Sequence, residues 1–169
     1  MNKQNYIDHA EQALLHTYNR FPVVLDHGEG VYLYDTDGKK YLDFARYIVE
    51  EGGTSIANVF ELAYADKTDP YQYPITKAYE LISCFEGLLE YYRAKGIEKY
   101  KTAVLNFGRR LMKTDITIIG SAGCTHEYLD HAAARQTDTA YSGIMQETCV
   151  TVTWMKFCLQ LLAVSGEAA

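Results

Sequence analysis

The sequence predicts a mainly helical protein with a small β-meander near its N-terminus. Three observations carry this. Beyond about residue 46, apolar residues recur at three- and four-residue steps, the spacing of one helix face. Two of the longest such stretches are separated only by Gly96, so the helices they form must run antiparallel. Between residues 23 and 44 short apolar runs alternate with clusters of Asp, Gly and Thr, the pattern of strands and turns. A length of 169 residues allows one domain, or one small domain and part of another.

In order, Tyr6, Ala10, Ala13, Leu14 and Thr17 predict a first helix over 5–19. Arg20-Phe21-Pro22 ends it, because the residue before proline avoids the helical region. Val23-Val24-Leu25, Val31-Tyr32-Leu33-Tyr34 and Lys40-Tyr41-Leu42-Asp43-Phe44 read as short strands, with turns over 26–30 and 35–38. Gly52-Gly53 is a break, and Ser55 can cap a helix whose face is Ile56, Val59, Phe60 and Ala63. Thr76 can cap a long helix over 77–95 with Ala78, Leu81, Ile82, Phe85, Leu88, Leu89 and Tyr92 as its stripe. Gly96 suits the left-handed closing position. Ile97, Tyr100, Val104, Phe107 and Leu111 define the next helix. Residues 115–123 are apolar and glycine-ended, and 123–143 read as a long polar loop with short helical turns. The segment 151–164 is apolar nearly all round, as in a helix buried among others.

The net charge of -6 disfavours a nucleic-acid partner, which needs a basic stripe. The apolar stretches fall short of a membrane span, and the first ten residues lack a secretory core. Cys84, Cys124, Cys149 and Cys158 form no CxxC pair. The expectation is a cytoplasmic protein with reduced thiols and no membrane partner. Fifteen tyrosines suit either packing or a sugar site.

Glu147 and Cys149 are the first candidates for chemistry. On a helix, residues i and i+2 point about 200° apart, whereas an extended segment puts them on one side. A carboxylate and a thiolate together suit zinc, so the pair can hold that metal if it precedes the last helix in extended form. The plain reading is a dipole-facing glutamate and a core cysteine. Glu127 is a loop carboxylate that can be solvated or can act as an acid. His126 and Asp130, four apart, can chelate on a helix; His131 and Arg135 are near, and Cys124 reads as a buried thiol.

Two resemblances add to this. His16-Thr17-Tyr18-Asn19-Arg20-Phe21-Pro22, Gly28-Glu29-Gly30-Val31-Tyr32-Leu33-Tyr34-Asp35 and Asp37-Gly38-Lys39-Lys40-Tyr41-Leu42-Asp43-Phe44-Ala45 resemble the start of a class III aminotransferase of the acetylornithine type. The Schiff-base lysine and phosphate cradle of that pyridoxal chemistry have no place here. No pyridoxal phosphate is therefore expected, and residues 1–45 are read as scaffold.

From Arg46-Tyr47-Ile48-Val49-Glu50, through Tyr71-Gln72-Tyr73-Pro74 and Cys84-Phe85-Glu86-Gly87-Leu88-Leu89, to Gly123-Cys124-Thr125-His126-Glu127 and Gln146-Glu147-Thr148-Cys149, the chain is similar to glycoside hydrolase family 127. That resemblance implies part of an (α/α)6 toroid over 46–169. It makes Glu127, ahead of Asp138-Thr139-Ala140-Tyr141, the general acid/base, and Glu147 and Cys149 two ligands of a zinc site. In the family two further cysteines complete that site and one is the nucleophile. Here only Cys158 follows Cys149.

The expected function is that of a fragment of a retaining hydrolase of β-L-arabinofuranosides or related plant glycans, inactive as this chain. Its partner is a carbohydrate, with self-association through exposed helix faces. The other readings are a piece of a pyridoxal-phosphate aminotransferase and a non-catalytic helical interaction module. The two resemblances meet at Ala45-Arg46 without a linker, which points to a recombined or truncated gene product.

Overall fold

The computed structural model describes residues 3–13, 23–29, 32–123, 127–140 and 147–166. The chain divides into two compact units, Met1–Tyr47 and Ile48–Ala169.

In the first unit, α1 (Lys3–Ala13) is the described part of the expected first helix; residues 14–19 lie outside the described residues. Strands β1 (Leu25–Glu29) and β2 (Tyr32–Asp35) pair antiparallel, Glu29 facing Tyr32 and His27 facing Tyr34, with an irregularity between Leu25 and His27. Residues 26–29, expected as a turn, thus belong to a strand. The third expected strand is reduced to a single bridge between Lys40 and Tyr34, because α2 (Leu42–Glu51) begins two residues later. Asp35 explains the sharp exit. Its carboxylate accepts the Asp37 and Lys39 amides at 3.0 and 2.8 Å and the Tyr41 hydroxyl at 2.5 Å. The Tyr41 bond holds Asp35 below the usual carboxylate range, and the Tyr41 phenol is pushed up to about 12.

The second unit contains the predicted glycine break. Gly52 and Gly53 have φ of 87° and 76°, and a Cβ on Gly52 would lie 2.2 Å from Asn58 Cα. Helix α3 (Val59–Ala65) is capped by Asn58, whose side chain accepts the Glu61 amide at 2.9 Å. Ser55 is not the cap. The Thr54 hydroxyl folds 54–57 into a turn, donating to the Ala57 carbonyl at 2.6 Å, and leaves Ile56 68% exposed rather than on a helix face.

Helices α4 (Ala78–Lys95) and α5 (Glu98–Thr114) form the predicted hairpin about Gly96, φ 69°. Phe85 stacks on Phe107 at 3.8 Å and Tyr91 meets Tyr100 at 5.5 Å. Pairing that closes toward the turn in this way requires antiparallel helices. Glu80 in the first turn and Arg93 and Lys95 in the last complement the α4 dipole. The predicted stripe from Ala78 to Leu89 is buried, with Tyr91 in place of Tyr92 at its end.

Helix α7 (Thr148–Ser165) packs on α4 and α5. Its Phe157 meets Phe107 edge-on at 6.0 Å. Gly108 permits the approach, since a Cβ there would come within 2.7 Å of Leu161 Cδ1. Only one face of α7 is buried, through Val150, Thr153, Trp154, Phe157 and Leu161. Val152, Met155, Leu159 and Leu162 are exposed, because α4 and α5 cover one side alone. With 18 residues and Lys156 as its single charge, α7 is long and apolar enough to cross a membrane by length and composition, which the sequence reading did not anticipate. The described residues are thus mainly helical, with one two-stranded sheet, in keeping with part of a helical toroid.

Candidate active site

The N-terminus of α4 leaves backbone donors without helical partners. No side chain caps it, neither Thr76 nor Lys77. The loop that carries Glu127 supplies a partner for the first of them instead. The Ala78 amide donates to the Glu127 carbonyl and the Leu129 amide to the Thr76 carbonyl, both at 2.7 Å, making a bridge between Lys77 and Tyr128. Gly123, φ 75°, lets the chain pass: a Cβ there would sit 2.7 Å from the Tyr128 carbonyl oxygen.

Glu127 itself has φ 75°. A glutamate in the left-handed region is strained and persists only where its surroundings over-determine it. The other end of the loop supplies that constraint. Asp115, fully buried, accepts the amides of Asp130 and His131 at 2.9 Å and of Ala132 at 3.4 Å on one oxygen. Burial pushes the Asp115 carboxyl up, against the hydrogen bonds that pull it down. His131, also left-handed, stacks on Tyr71 at 4.8 Å just ahead of the short helix α6 (Ala132–Arg135).

The Glu127 carboxylate meets the Lys77 ammonium at 2.9 Å, and the same ammonium lies 3.0 Å from Glu80. Hydrogen bonds to Glu127 and then to Glu80 hold Lys77 well above the ordinary lysine value. The Glu127 side chain is 34% exposed, so solvent or a ligand can reach it.

Glu147 is the residue before α7, extended at φ -82° and ψ 138°. The helix starts at Thr148, three residues earlier than its apolar pattern indicates, so Cys149 lies in the first turn instead of an extended segment. The two side chains still meet: the Cys149 thiol donates to Glu147 Oε2 at 3.1 Å. That hydrogen bond, with a smaller contribution from burial, pushes the thiol up against the backbone amides that pull it down. Thr151 one turn on bonds Ser121 at 2.7 Å, and the Gly123 amide donates to the Asp115 carbonyl at 3.1 Å. The first turn of α7 and the Glu127 loop are therefore both tied to residues 115–123.

Tetrahedral zinc, with bonds of about 2.3 Å to sulfur and about 2.0–2.2 Å to oxygen, sets its donors roughly 3.6 Å apart. The pair fits after a small opening and loss of the thiol proton. It is half of a donor set: among the described residues no group of three or more His, Cys, Asp or Glu is placed to hold a metal. Cys124, His126, Tyr141 and Gln146 lie outside the described residues. Arg135 pairs with Asp130 at 3.3 Å, and Asp138 accepts the Ala140 amide at 2.9 Å.

Sequence reasoning missed Lys77 and Asp115, which look like an ordinary helix start and a loop acid. A cleft of about 260 Å³ elsewhere, lined by Asp66, Asp69, Arg109, Arg110 and Lys113, includes none of the candidate residues.

In Glu147→Ala the thiol loses the acceptor that favours its neutral form. Alkylation of Cys149 by iodoacetamide in metal-free protein near pH 7 is expected to quicken by roughly three- to tenfold. An unchanged rate, read by peptide mass spectrometry, refutes the coupling.

Comparison with known proteins sorts the chain first by class: it is glycoside hydrolase sequence. The model of the β-L-arabinofuranosidase GH127 catalytic domain matches residues 2–169, across Ala45-Arg46, and the chain belongs to that family. Shorter likenesses lead to acetylornithine aminotransferases. The chain is 52% identical over 44 residues to that of Methanocaldococcus jannaschii, covering 26% of this chain and 11% of the relative. It is 59% identical over 34 residues to that of Gloeobacter violaceus, covering 20% and 8%. With that of Aquifex aeolicus it shares 36% identity over 74 residues, covering 44% and 18%. The matches thus span about a tenth to a fifth of those enzymes. No solved structure matches the chain.

Proposed function

We propose that this chain contributes Glu127 as general acid/base and Glu147 and Cys149 as zinc ligands to retaining hydrolysis of β-L-arabinofuranosides or related plant glycans. The observation that carries the reading is the 3.1 Å contact of carboxylate and thiol at the entry to α7. It lies in a chain that belongs to a β-L-arabinofuranosidase family.

Retaining hydrolysis needs a carboxyl that gives a proton to the leaving oxygen and then takes one from water. Glu127 is accessible enough for both roles, and its doubly held backbone limits where the carboxyl can go. Zinc, when bound, keeps a coordinated thiol deprotonated. Glu147 and Cys149 would each give it one donor atom. By resemblance the nucleophile is a further cysteine. Cys158 is a poor one, since it sits half-buried within α7 and burial pushes its thiol up. These 169 residues are accordingly expected to cleave arabinofuranosides little or not at all by themselves.

Zinc titration of the reduced chain tests the reading. With two of four donors present, weak binding is expected, weakened further in Glu147→Ala and in Cys149→Ala. Equal zinc binding by the parent and both variants overturns the ligand assignment.

A further inference from the structure

The reaction leaves one group unexplained. An acid/base glutamate must alternate between carboxylate and carboxylic acid, yet Glu127 rests against a lysine ammonium. Protonating Glu127 would ordinarily strand that cation. Lys77 does not face Glu127 alone: its ammonium bridges two carboxylates, at 2.9 Å on the loop and 3.0 Å one turn along α4.

We infer that Lys77 is a positioning residue for Glu127, and that Glu80 is the second seat to which its ammonium retires when Glu127 takes up a proton. This rests on the acid/base role proposed for Glu127. Three features of the geometry support it. The bridge between Lys77 and Tyr128 fixes the two backbones in register and brings the Lys77 and Glu127 side chains within reach of each other. Around the left-handed Glu127, Ala78 holds the Glu127 carbonyl, Thr76 the Leu129 amide and Asp115 the Asp130 amide, so the loop stays in place when the ion pair opens. Glu80 lies three residues on from Lys77 along the helix entry, a spacing at which side chains meet on one face. Lys77 keeps its proton throughout, because two carboxylates favour its charged form. The charge count then works in both states. With Glu127 ionised, one ammonium serves two carboxylates. With Glu127 protonated, the ammonium and Glu80 remain a neutral pair.

Carboxyl-carbon NMR on the 169-residue chain, with glutamate labelled at Cδ, tests this. The Glu127 signal is the one lost in Glu127→Gln. Its titration midpoint is expected to rise by about half a unit to one unit in Lys77→Met. It should return toward the parent value in Lys77→Arg. In Glu80→Gln it should fall below the parent, because protonating Glu127 then leaves the ammonium alone. A lysine that only packs gives no such order. Equal midpoints in Lys77→Met and the parent, or a rise in Glu80→Gln, overturn the inference. Binding of a methyl arabinofuranoside, followed by the same spectra, separates the two proposals. If the order holds while the sugar leaves the Glu127 signal unmoved, the tether stands and the glycosidase role of Glu127 fails.

Discussion

Asp115→Ala is expected to lower stability by about 3–4 kcal/mol and the thermal midpoint by roughly 10 °C at pH 7. The reason is local and countable. One carboxylate oxygen receives three consecutive amides, from Asp130, His131 and Ala132, in a site with no exposed surface. Removing it orphans all three, and with them goes the constraint on the loop that holds Glu127. Hydrogen exchange at those three amides should rise far more than in the α4–α5 hairpin.

Asp115→Asn is expected to cost no more than about 1 kcal/mol. The Thr114 hydroxyl lies 2.9 Å from the Arg110 carbonyl and 2.7 Å from the other Asp115 oxygen. A hydroxyl has one proton to donate, so both contacts are satisfied together when Asp115 carries a proton of its own. An asparagine amide reproduces that donor. Burial raises the folded carboxyl above its ordinary value of 3.8, so its contribution is fully present below that value and is lost as pH rises through the folded one. Thermal melts from pH 4 to 7 should show this loss in the parent and a flatter profile in Asp115→Asn. The opposite slope refutes the account.

Phe107→Ala is the second large effect, expected at about 3–5 kcal/mol. Its fully buried ring stacks on Phe85 from α4 and meets Phe157 from α7. Truncation opens a hole where three helices meet, and none of the three can close it without leaving the others. Against a total of about 5–15 kcal/mol for an ordinary domain, this removes roughly a fifth or more. Urea denaturation should show the fall in midpoint, and Phe107→Leu should recover over half of it. A loss below about 1 kcal/mol would falsify the three-helix core.

The helical part of this fold was legible because its signals are periodic. Phe85, Leu88, Val104, Phe107 and Leu111 mark their faces by spacing alone, and Gly96 marks the turn. The third strand was misread because Tyr41 and Leu42 suit either structure. What decides is the Tyr41 hydroxyl on Asp35, a contact six residues back. Ser55 lost to Asn58 for a similar reason: Thr54 claims the intervening backbone first. Glu147 and Cys149 were legible as a pair, but their meeting depends on a helix boundary that an apolar pattern does not mark. Lys77 and Asp115 could not have been picked out, because each acts across a gap in sequence, to Glu127 and to 130–132. Neither residue type is unusual where it stands.

The backbone at Glu127 bends in the sense that glycine adopts most readily. The carboxylate there is thus kept against the grain of the main chain. Anyone optimising this protein for robustness would meet that position early as a place to relax. On the acid/base role proposed for Glu127, the sturdier variant so obtained would lack the carboxyl meant to move the proton.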